Sequence, residues 1–224
     1  MSPASIRFRQ DVVHERPTVR NLGVLFDKHL TWDAHVSSLV NKCYGILIGL
    51  SHLRHCIPKD LLPTIVNALV ISHVRYCLAV FGNGSQTNMK RIQTIQNFAL
   101  RVISGRRKFD HISDVRDELG WPLVPRLHKQ HSLTLLHKIH TTGEPQALAS
   151  QFRPNSELRS RNTRRDSDLA LPPMPTHPTG AGERRFVERV VRDFNSLPVE
   201  TRSLSVPAFR RAIGDALDVL ENDP

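Results

Sequence analysis

Between Val19 and Phe26 the chain sets β-branched and apolar residues in a short run bounded by polar ones, which is the pattern of a strand. Asp27 to Leu30 then reads as a turn. From Thr31 the period changes: Val36, Leu39, Val40, Cys43, Leu47, Leu50 and Leu53 recur mostly at spacings of three and four, the signature of one helical face. The spacing predicts a strand ending where a long core helix begins, from Thr31 or Trp32 to Arg54, with Thr31 as its cap. Upstream, Ile6 to Arg9 and Val12 to Val13 predict a strand within residues 5 to 14. It is expected to pair with the strand ending at Phe26 through a turn at Glu15-Arg16-Pro17. A hairpin of two strands is marginal alone and needs a helix to cover it.

Downstream the helical period dominates. Pro58 suits a first turn, and Leu61, Leu62, Ile65, Val66 and Leu69 lead to His73 or Tyr76 on a second stripe. Pro63 either kinks that helix or marks its start. Cys77 to Phe81 is a short apolar run broken by Gly82-Asn83-Gly84-Ser85. A third helix is predicted over 88–104, with Ile92, Ile95, Ala99, Val102 and Ile103 on one side and Lys90, Gln93, Thr94, Asn97 and Arg101 on the other. Gly105 is its expected C-cap, followed at once by Arg106-Arg107-Lys108. A short helix over 112–119 precedes Gly120-Trp121-Pro122, and Pro125 opens another to about Thr141 with Leu127, Leu135, Leu136 and Ile139 as core positions.

From Gln151 to Gly182 the pattern fades into Arg153, Arg159, Arg161, Arg164 and Arg165, then Pro172, Pro173, Pro175 and Pro178. This stretch reads as a linker. Two amphipathic helices close the chain. One sets Phe186, Val190 and Phe194 opposite Arg185, Arg189 and Arg192; the last aligns Phe209, Ala212, Ile213, Ala216, Leu217 and Leu220. The fold class is therefore mainly α, with a short N-terminal β hairpin followed by a helical bundle and two C-terminal helices after a linker.

Composition adds a partner class. The chain of 224 residues carries a net charge of +10. Residues 1–100 hold 11 Lys+Arg against 5 Asp+Glu, 101–165 hold 13 against 6, and 166–224 hold 7 against 10. Clustered cations favour a polyanion through counterion release, so phosphate contacts are expected before about residue 165. A charge bias serving solubility is the bland alternative. Cys43, Cys56 and Cys77 cannot all pair with one another, and reduced thiols in an intracellular protein are expected. No signal-like or membrane-spanning apolar run is visible, so localisation in nucleus or cytoplasm, without secretion or a membrane partner, is the expectation.

Candidate chemistry is thin. His128, His131, His137 and His140 project from one helix at about 0°, 300°, 180° and 120°, too spread to share an ion. His52-x-x-His55-Cys56 lacks a second ligand pair at finger-like spacing. No catalytic residue, metal site or cofactor is assigned. Neither Gly82-Asn83-Gly84-Ser85 nor Gly105-Arg106-Arg107-Lys108 has the glycine pattern of a nucleophile elbow or phosphate loop. What remains is a candidate nucleic-acid-binding set, Lys90, Arg101, Arg106, Arg107 and Lys108, flanking a helix whose other face is core. The alternative is a solvated charged face, since no aromatic neighbours are visible among them to stack bases.

Several segments carry a resemblance. Asn21-Leu22-Gly23-Val24-Leu25-Phe26-Asp27 with Leu30-Thr31-Trp32-Asp33-Ala34-His35 is similar to the Leu-Gly-Val, Asp, Leu-x-Trp-x-x-His segment that follows the palm in reverse transcriptases of non-LTR retrotransposons, LINE elements of Jockey and CR1 type. Asn67 to Cys77, Arg91 to Arg101 and Glu118 to Leu127 resemble later segments of that family in the same order. Asp193-Phe194-Asn195-Ser196-Leu197-Pro198 resembles its Trp-Asn-Ser-Leu-Pro tail, with Phe194 in the place of Trp.

The resemblance implies an RNA-directed DNA polymerase as parent, and a remnant of palm and primer grip over 1–30 with primer-grip-like residues Leu22, Gly23 and Val24. It further implies a thumb-like helical domain over 31–150, the Arg/Pro-rich linker over 151–182 and a C-terminal helical segment over 183–224. The family's Tyr-x-Asp-Asp motif has no counterpart, because the chain contains no Asp-Asp pair. Two-metal nucleotidyl transfer needs clustered carboxylates. The expectation is a fragment lacking its upstream palm, inactive alone, that at most binds RNA or DNA weakly and without sequence preference. A helical protein-interaction module with an unknown protein partner, or a product of a decayed element without function, are the alternatives.

Overall fold

The computed structural model describes residues 5–8, 11–158, 168–171 and 186–222. Among these, Arg153 is exposed, whereas Arg159, Arg161, Arg164, Arg165, Arg185 and the prolines from Pro172 to Pro178 lie outside the described residues. The chain divides into two compact units, Met1–Val124 and Pro125–Pro224.

The first unit opens with two antiparallel hairpins. β1 (Ser5–Phe8) pairs with β2 (Asp11–His14), and β3 (Thr18–Asn21) pairs with β4 (Val24–Asp27). The expected pairing of residues 5–14 with the strand ending at Phe26 is therefore corrected. The break falls within each stretch, and Asn21↔Val24 closes a loop of two residues at Leu22-Gly23. Both have positive φ, 46° and 85°, as a type I′ hairpin turn requires. Gly23 serves this turn; a side chain there would be strained by its φ.

Helix α1 (Asp33–Leu53) buries Val36, Leu39, Cys43, Leu47 and Leu50. The helix starts after Trp32 as expected, but its cap is corrected: Trp32, not Thr31, holds the N-cap position, and Thr31 Oγ1 reaches the Asp33 amide at 3.5 Å. Trp32, left-handed at φ 67°, precedes α1, and the Asp27 carboxylate accepts the amides of His29, Thr31 and Trp32 at 3.1, 2.9 and 2.7 Å. The indole is buried edge-on against Phe26 at 5.2 Å. His35, also buried, lies 4.6 Å from the Phe81 ring, and its Nδ1 accepts the Leu25 amide. The hairpin is thus fastened to the helix that covers it.

Pro63 marks a helix start. α2 (Leu62–Val66), a π-helical stretch (Asn67–Ile71) and α3 (Ser72–Arg75) follow without a break, then α4 (Leu78–Phe81). Helix α5 (Gln86–Ser104) is N-capped by Ser85, whose side chain accepts the Asn88 amide, and C-capped by Gly105 at φ 75°. It lies along α1, burying Ile92, Ile95, Ala99, Leu100 and Val102. Buried Asn88 donates to Thr31 O and Asp33 Oδ1, fixing the two helix starts to each other. Gln93, expected on the basic outer face, instead accepts the Val124 amide, while buried Gln96 donates to Pro122 O. The two glutamines hold the Pro122–Val124 segment after α6 (Ser113–Glu118).

The second unit gathers α7 (Val124–Thr142), α8 (Gln146–Ala149), α9 (Asn155–Leu158), α10 (Phe186–Asn195), α11 (Val199–Arg202) and α12 (Val206–Asn222). Its core joins Leu133, Leu136 and Ile139 to Val190, Val191, Phe194, Phe209, Ile213 and Leu217. Leu135, expected in the core, is exposed; Leu133, two positions away and so on the other side of the helix, takes its place. Phe152 and Leu169 are also buried in this core, so the described parts of the stretch read as a linker are packed there. Arg189, expected opposite the apolar face, is half-buried beside His128, and burial pushes its guanidinium below its ordinary value. Leu220 falls where no side chain is described.

Candidate nucleic-acid interface

The C-terminal halves of α1 and α5 leave a groove between them of about 610 Å³. From α1 come Tyr44 and Ser51, and from the 3-10 turn that continues it (Arg54–Cys56) come Arg54 and His55; α5 gives Thr94, Phe98, Arg101 and Val102, and the turn after α5 adds Gly105, Arg106 and Lys108. Helical periodicity explains both sets, since steps of seven and eleven residues from Tyr44, and of four, seven and eight from Thr94, keep one face. The Tyr44 and Phe98 rings are 5.5 Å apart and tilted by 31°, each half-buried. The Arg54 guanidinium lies so close over Gly105 that a Cβ built there would overlap it.

Of the five cations assigned from sequence, Arg101, Arg106 and Lys108 line this groove. Arg101 donates from Nε to Arg107 O at 3.1 Å and from Nη1 to Asn97 O, bracing the turn. Arg106 forms a two-pronged ion pair with Asp114 and also donates to His111 O. The Arg106 guanidinium holds the Asp114 carboxyl at about 2, and Asp114 in turn raises the arginine. Arg107 and Lys108 are exposed, on a loop closed by Asp110, whose carboxylate accepts the Arg107 amide at 2.7 Å. Lys90 is exposed on α5, eleven residues and so about 16 Å from Arg101 along the axis. It lies outside the groove.

The reading that no aromatic side chains sit among these cations is corrected: Phe98 and Phe109 lie among them in the sequence, and the fold adds Tyr44. Tyr44 and Phe98 form the groove wall, and Phe109 is 90% exposed next to Lys108, whose Nζ lies 5.5 Å from the ring centroid. Sequence reading also missed Arg54 and His55. The usable signal was the seven- to eleven-residue recurrence from Tyr44, but matching it to α5 required the fold.

The primer-grip-like residues sit apart on the β3–β4 turn. Leu22 is 83% exposed at its tip, Val24 is buried, and Tyr76 Oη donates to Leu22 O at 2.7 Å. In the second unit, Gln130, His131, Thr134 and Lys138 of α7 face Arg210 and Arg211 of α12 across a smaller groove of about 420 Å³. The negative total over residues 166–224 concealed this local basic patch.

Among the described residues, no group of three or more His, Cys, Asp or Glu side chains is arranged to hold a metal ion, and no helix is long and apolar enough to cross a membrane. Cys43 is buried, its thiol pushed up to about 11 by burial, while Cys56 is exposed and Cys77 half-buried.

Comparison with known proteins gives two relatives. The chain is 26% identical over 175 residues to a protein of Drosophila melanogaster named probable RNA-directed DNA polymerase from transposon X-element, covering 75% of this chain and 19% of that protein. It is 26% identical over 106 residues to the RNA-directed DNA polymerase from mobile element jockey of Drosophila funebris, covering 46% of this chain and 12% of that protein. The matched region is thus a fifth or less of either relative's length. No family model and no solved structure matches. The two similarities support a relationship to RNA-directed DNA polymerases of transposable elements.

Proposed function

We propose that this chain corresponds to the region that follows the palm in a LINE-type reverse transcriptase, and that its work is to hold nucleic acid rather than to extend it. The order of the resembling segments, from the Leu22-Gly23-Val24 turn through α5 to Phe194-Asn195-Ser196-Leu197-Pro198, supports the placement. The observation that carries the binding is the α1–α5 groove and its loop, where Arg54, Arg101, Arg107 and Lys108 gather beside Tyr44, Phe98 and Phe109.

Arg107 and Lys108 have no ion-pair partner among the described residues, so they are available to phosphates, and counterion release supplies affinity without sequence preference. Arg101 and Asp110 brace the loop that carries them, which lowers the ordering cost of contact. Nucleotide addition is not expected of this chain, because two-metal transfer needs clustered carboxylates and no Asp-Asp pair stands in the sequence. The interaction-module reading gains less support. The apolar faces of α10 and α12, which it required for docking, are occupied in the second unit's own core.

The test is titration of the full chain against labelled RNA, DNA and hybrid strands at several salt concentrations. Affinity is expected to fall steeply with salt. Changing Arg107 and Lys108 together to Ala should reduce the slope of log affinity against log salt by about two. Binding that ignores salt, or survives the double change intact, overturns the reading. Primer extension by the chain alone, with magnesium or manganese, overturns the non-catalytic part.

A further inference from the structure

We infer that the α1–α5 groove takes an unpaired nucleotide, its base stacked on the Tyr44–Phe98 wall and its phosphates on the surrounding cations; this rests on the proposed function and narrows it to single strands. The groove's chemistry is layered. Its wall is aromatic and aliphatic, from Tyr44, Phe98 and Val102. The aliphatic hydroxyls are already engaged within their helices: Thr94 donates to Lys90 O and Ser51 to Ile48 O. Both helices end here, so backbone carbonyls with their partial negative charge point toward this end. Such an interior suits a planar, weakly polar base that carries N–H donors. It does not suit a phosphate. The cations stand around it: Arg54 over Gly105, Lys108 on the adjoining loop, and Arg101 bracing that loop.

Two further observations favour an unpaired strand over a duplex. In a duplex the base faces are stacked on one another and unavailable to side chains. About 610 Å³ is the size of a pocket for one small molecule, far narrower than a double helix. Phe109, meanwhile, is 90% exposed on the cationic loop and contributes nothing to the core. An aromatic ring left bare beside Arg107 and Lys108 is placed to stack a neighbouring base. Tyr44 and Phe98 are tilted rather than flush, so a base can lie against one ring while the other forms an edge contact.

The experiment uses the full chain and four probes of equal phosphate number: oligo(dT), oligo(rU), an abasic strand of the same length, and a duplex of matching phosphate count. Anisotropy titrations at low salt are expected to show oligo(dT) or oligo(rU) binding about tenfold more tightly than the abasic strand. The preferred one of the two identifies DNA or RNA as the source, and equal affinity means that the groove reads only the base face. Phe109→Ser, at a position 90% exposed and outside the core, should reduce that ratio severalfold, as should Phe98→Leu, with affinity for the abasic strand unchanged. Abasic and thymine strands binding alike, or the duplex binding more tightly than either single strand, overturns this inference while leaving polyanion binding intact. Failure to bind any probe overturns the proposed function along with it.

Discussion

The Tyr76 hydroxyl donates to the carbonyl of Leu22 at 2.7 Å, across 54 residues of sequence, and so fastens the tip of the β3–β4 hairpin to the end of α3. The tip needs fastening. Leu22 is a branched residue held at φ 46°, a region that costs a residue with a Cβ about 1–2 kcal/mol, and its side chain is 83% exposed. Tyr76→Phe should therefore destabilise the first unit by about 0.5–1 kcal/mol, the modest end for an exposed hydrogen bond. Leu22→Asn should do the reverse by about 0.5 kcal/mol, since Asn-Gly is the preferred pair for this turn. Both tryptophans, Trp32 and Trp121, lie in the first unit, so urea unfolding followed by their fluorescence reads it separately.

Asp27 is the second fastening. Burial raises its carboxyl, but hydrogen bonds from the amides of Thr31, Trp32 and His29 outweigh that and leave it below its ordinary value. A carboxyl depressed in the folded state stabilises above the unfolded value near 3.9, and the contribution is lost as pH falls through the lower folded value. Asp27→Ala leaves three amides without this acceptor and should cost about 1–3 kcal/mol at neutral pH. It should also flatten the acid limb of the tryptophan-detected stability curve below pH 4. An unchanged acid limb would show that Asp27 does not set it.

What periodicity can see is confined to one element. The stripes of α1 and α5 were legible because Val36, Leu39, Cys43 and Leu47, or Ile92, Ile95 and Ala99, each face a core whatever their partner is. The cap of α1 was misassigned to Thr31 because the carboxylate that accepts the Thr31 and Trp32 amides lies upstream at Asp27 on a strand, and the left-handed Trp32 has no local sequence signal. Gln93 was placed on the basic outer face, and Gln96 was assigned to neither face. Their partners at Val124 and Pro122 come after a loop and a further helix. For the same reason Tyr44 was invisible beside Phe98: the two are 54 positions apart and meet only because α1 lies along α5.

Arg106 is half-hidden from phosphate by Asp114, which pairs with both its terminal nitrogens. Asp114→Asn removes a negative charge and loosens that pair. Nucleic-acid affinity should then rise about two- to threefold at low salt, and the salt slope should steepen by about one, as for one added phosphate contact. Arg210 and Arg211, in the other unit, provide the comparison. Changing both to Ala should leave the slope unaltered if the α1–α5 groove carries the contacts, and a fall equal to that of Arg107 and Lys108 would relocate binding to the second unit.

Within Asn195-Ser196-Leu197-Pro198, the structure gives each residue a separate task. The Asn195 amide accepts the Leu169 N–H at 2.9 Å and donates to the Leu169 carbonyl at 2.8 Å, clamping a residue 26 positions away. Leu197 is buried in the same core, and Pro198 precedes α11. Ser196 is exposed, and its hydroxyl donates to the carbonyl of Asp193. Asn195→Ala should thus cost the second unit about 1–3 kcal/mol and expose the Leu169 amide to hydrogen exchange, whereas Ser196→Ala should change either by little.

The second unit should weaken as pH falls below neutral, and His137 is the main cause. Its ring is stacked on Phe209, with centroids 4.0 Å apart and planes at 12°, and its Nε2 donates to Arg202 O at 3.2 Å. Burial lowers its pKa; the Arg202 carbonyl offsets this only in part, and His140 adds to the depression. His140 itself is lowered by burial, with Glu157 opposing. An imidazole depressed in the folded state takes up its proton more readily once unfolded, so the unfolded chain binds more protons below the ordinary value near 6.5. Stability is complete above that value and falls with pH below it. Protection of α7, α10 and α12 amides against exchange, corrected for intrinsic rates, should decline between pH 7.5 and 5.5. His137→Leu should lower protection at pH 7.5, because the Arg202 carbonyl loses its donor, yet shrink the decline, with His140 supplying the remainder. A decline of the same size in that variant would assign the acid sensitivity to other groups.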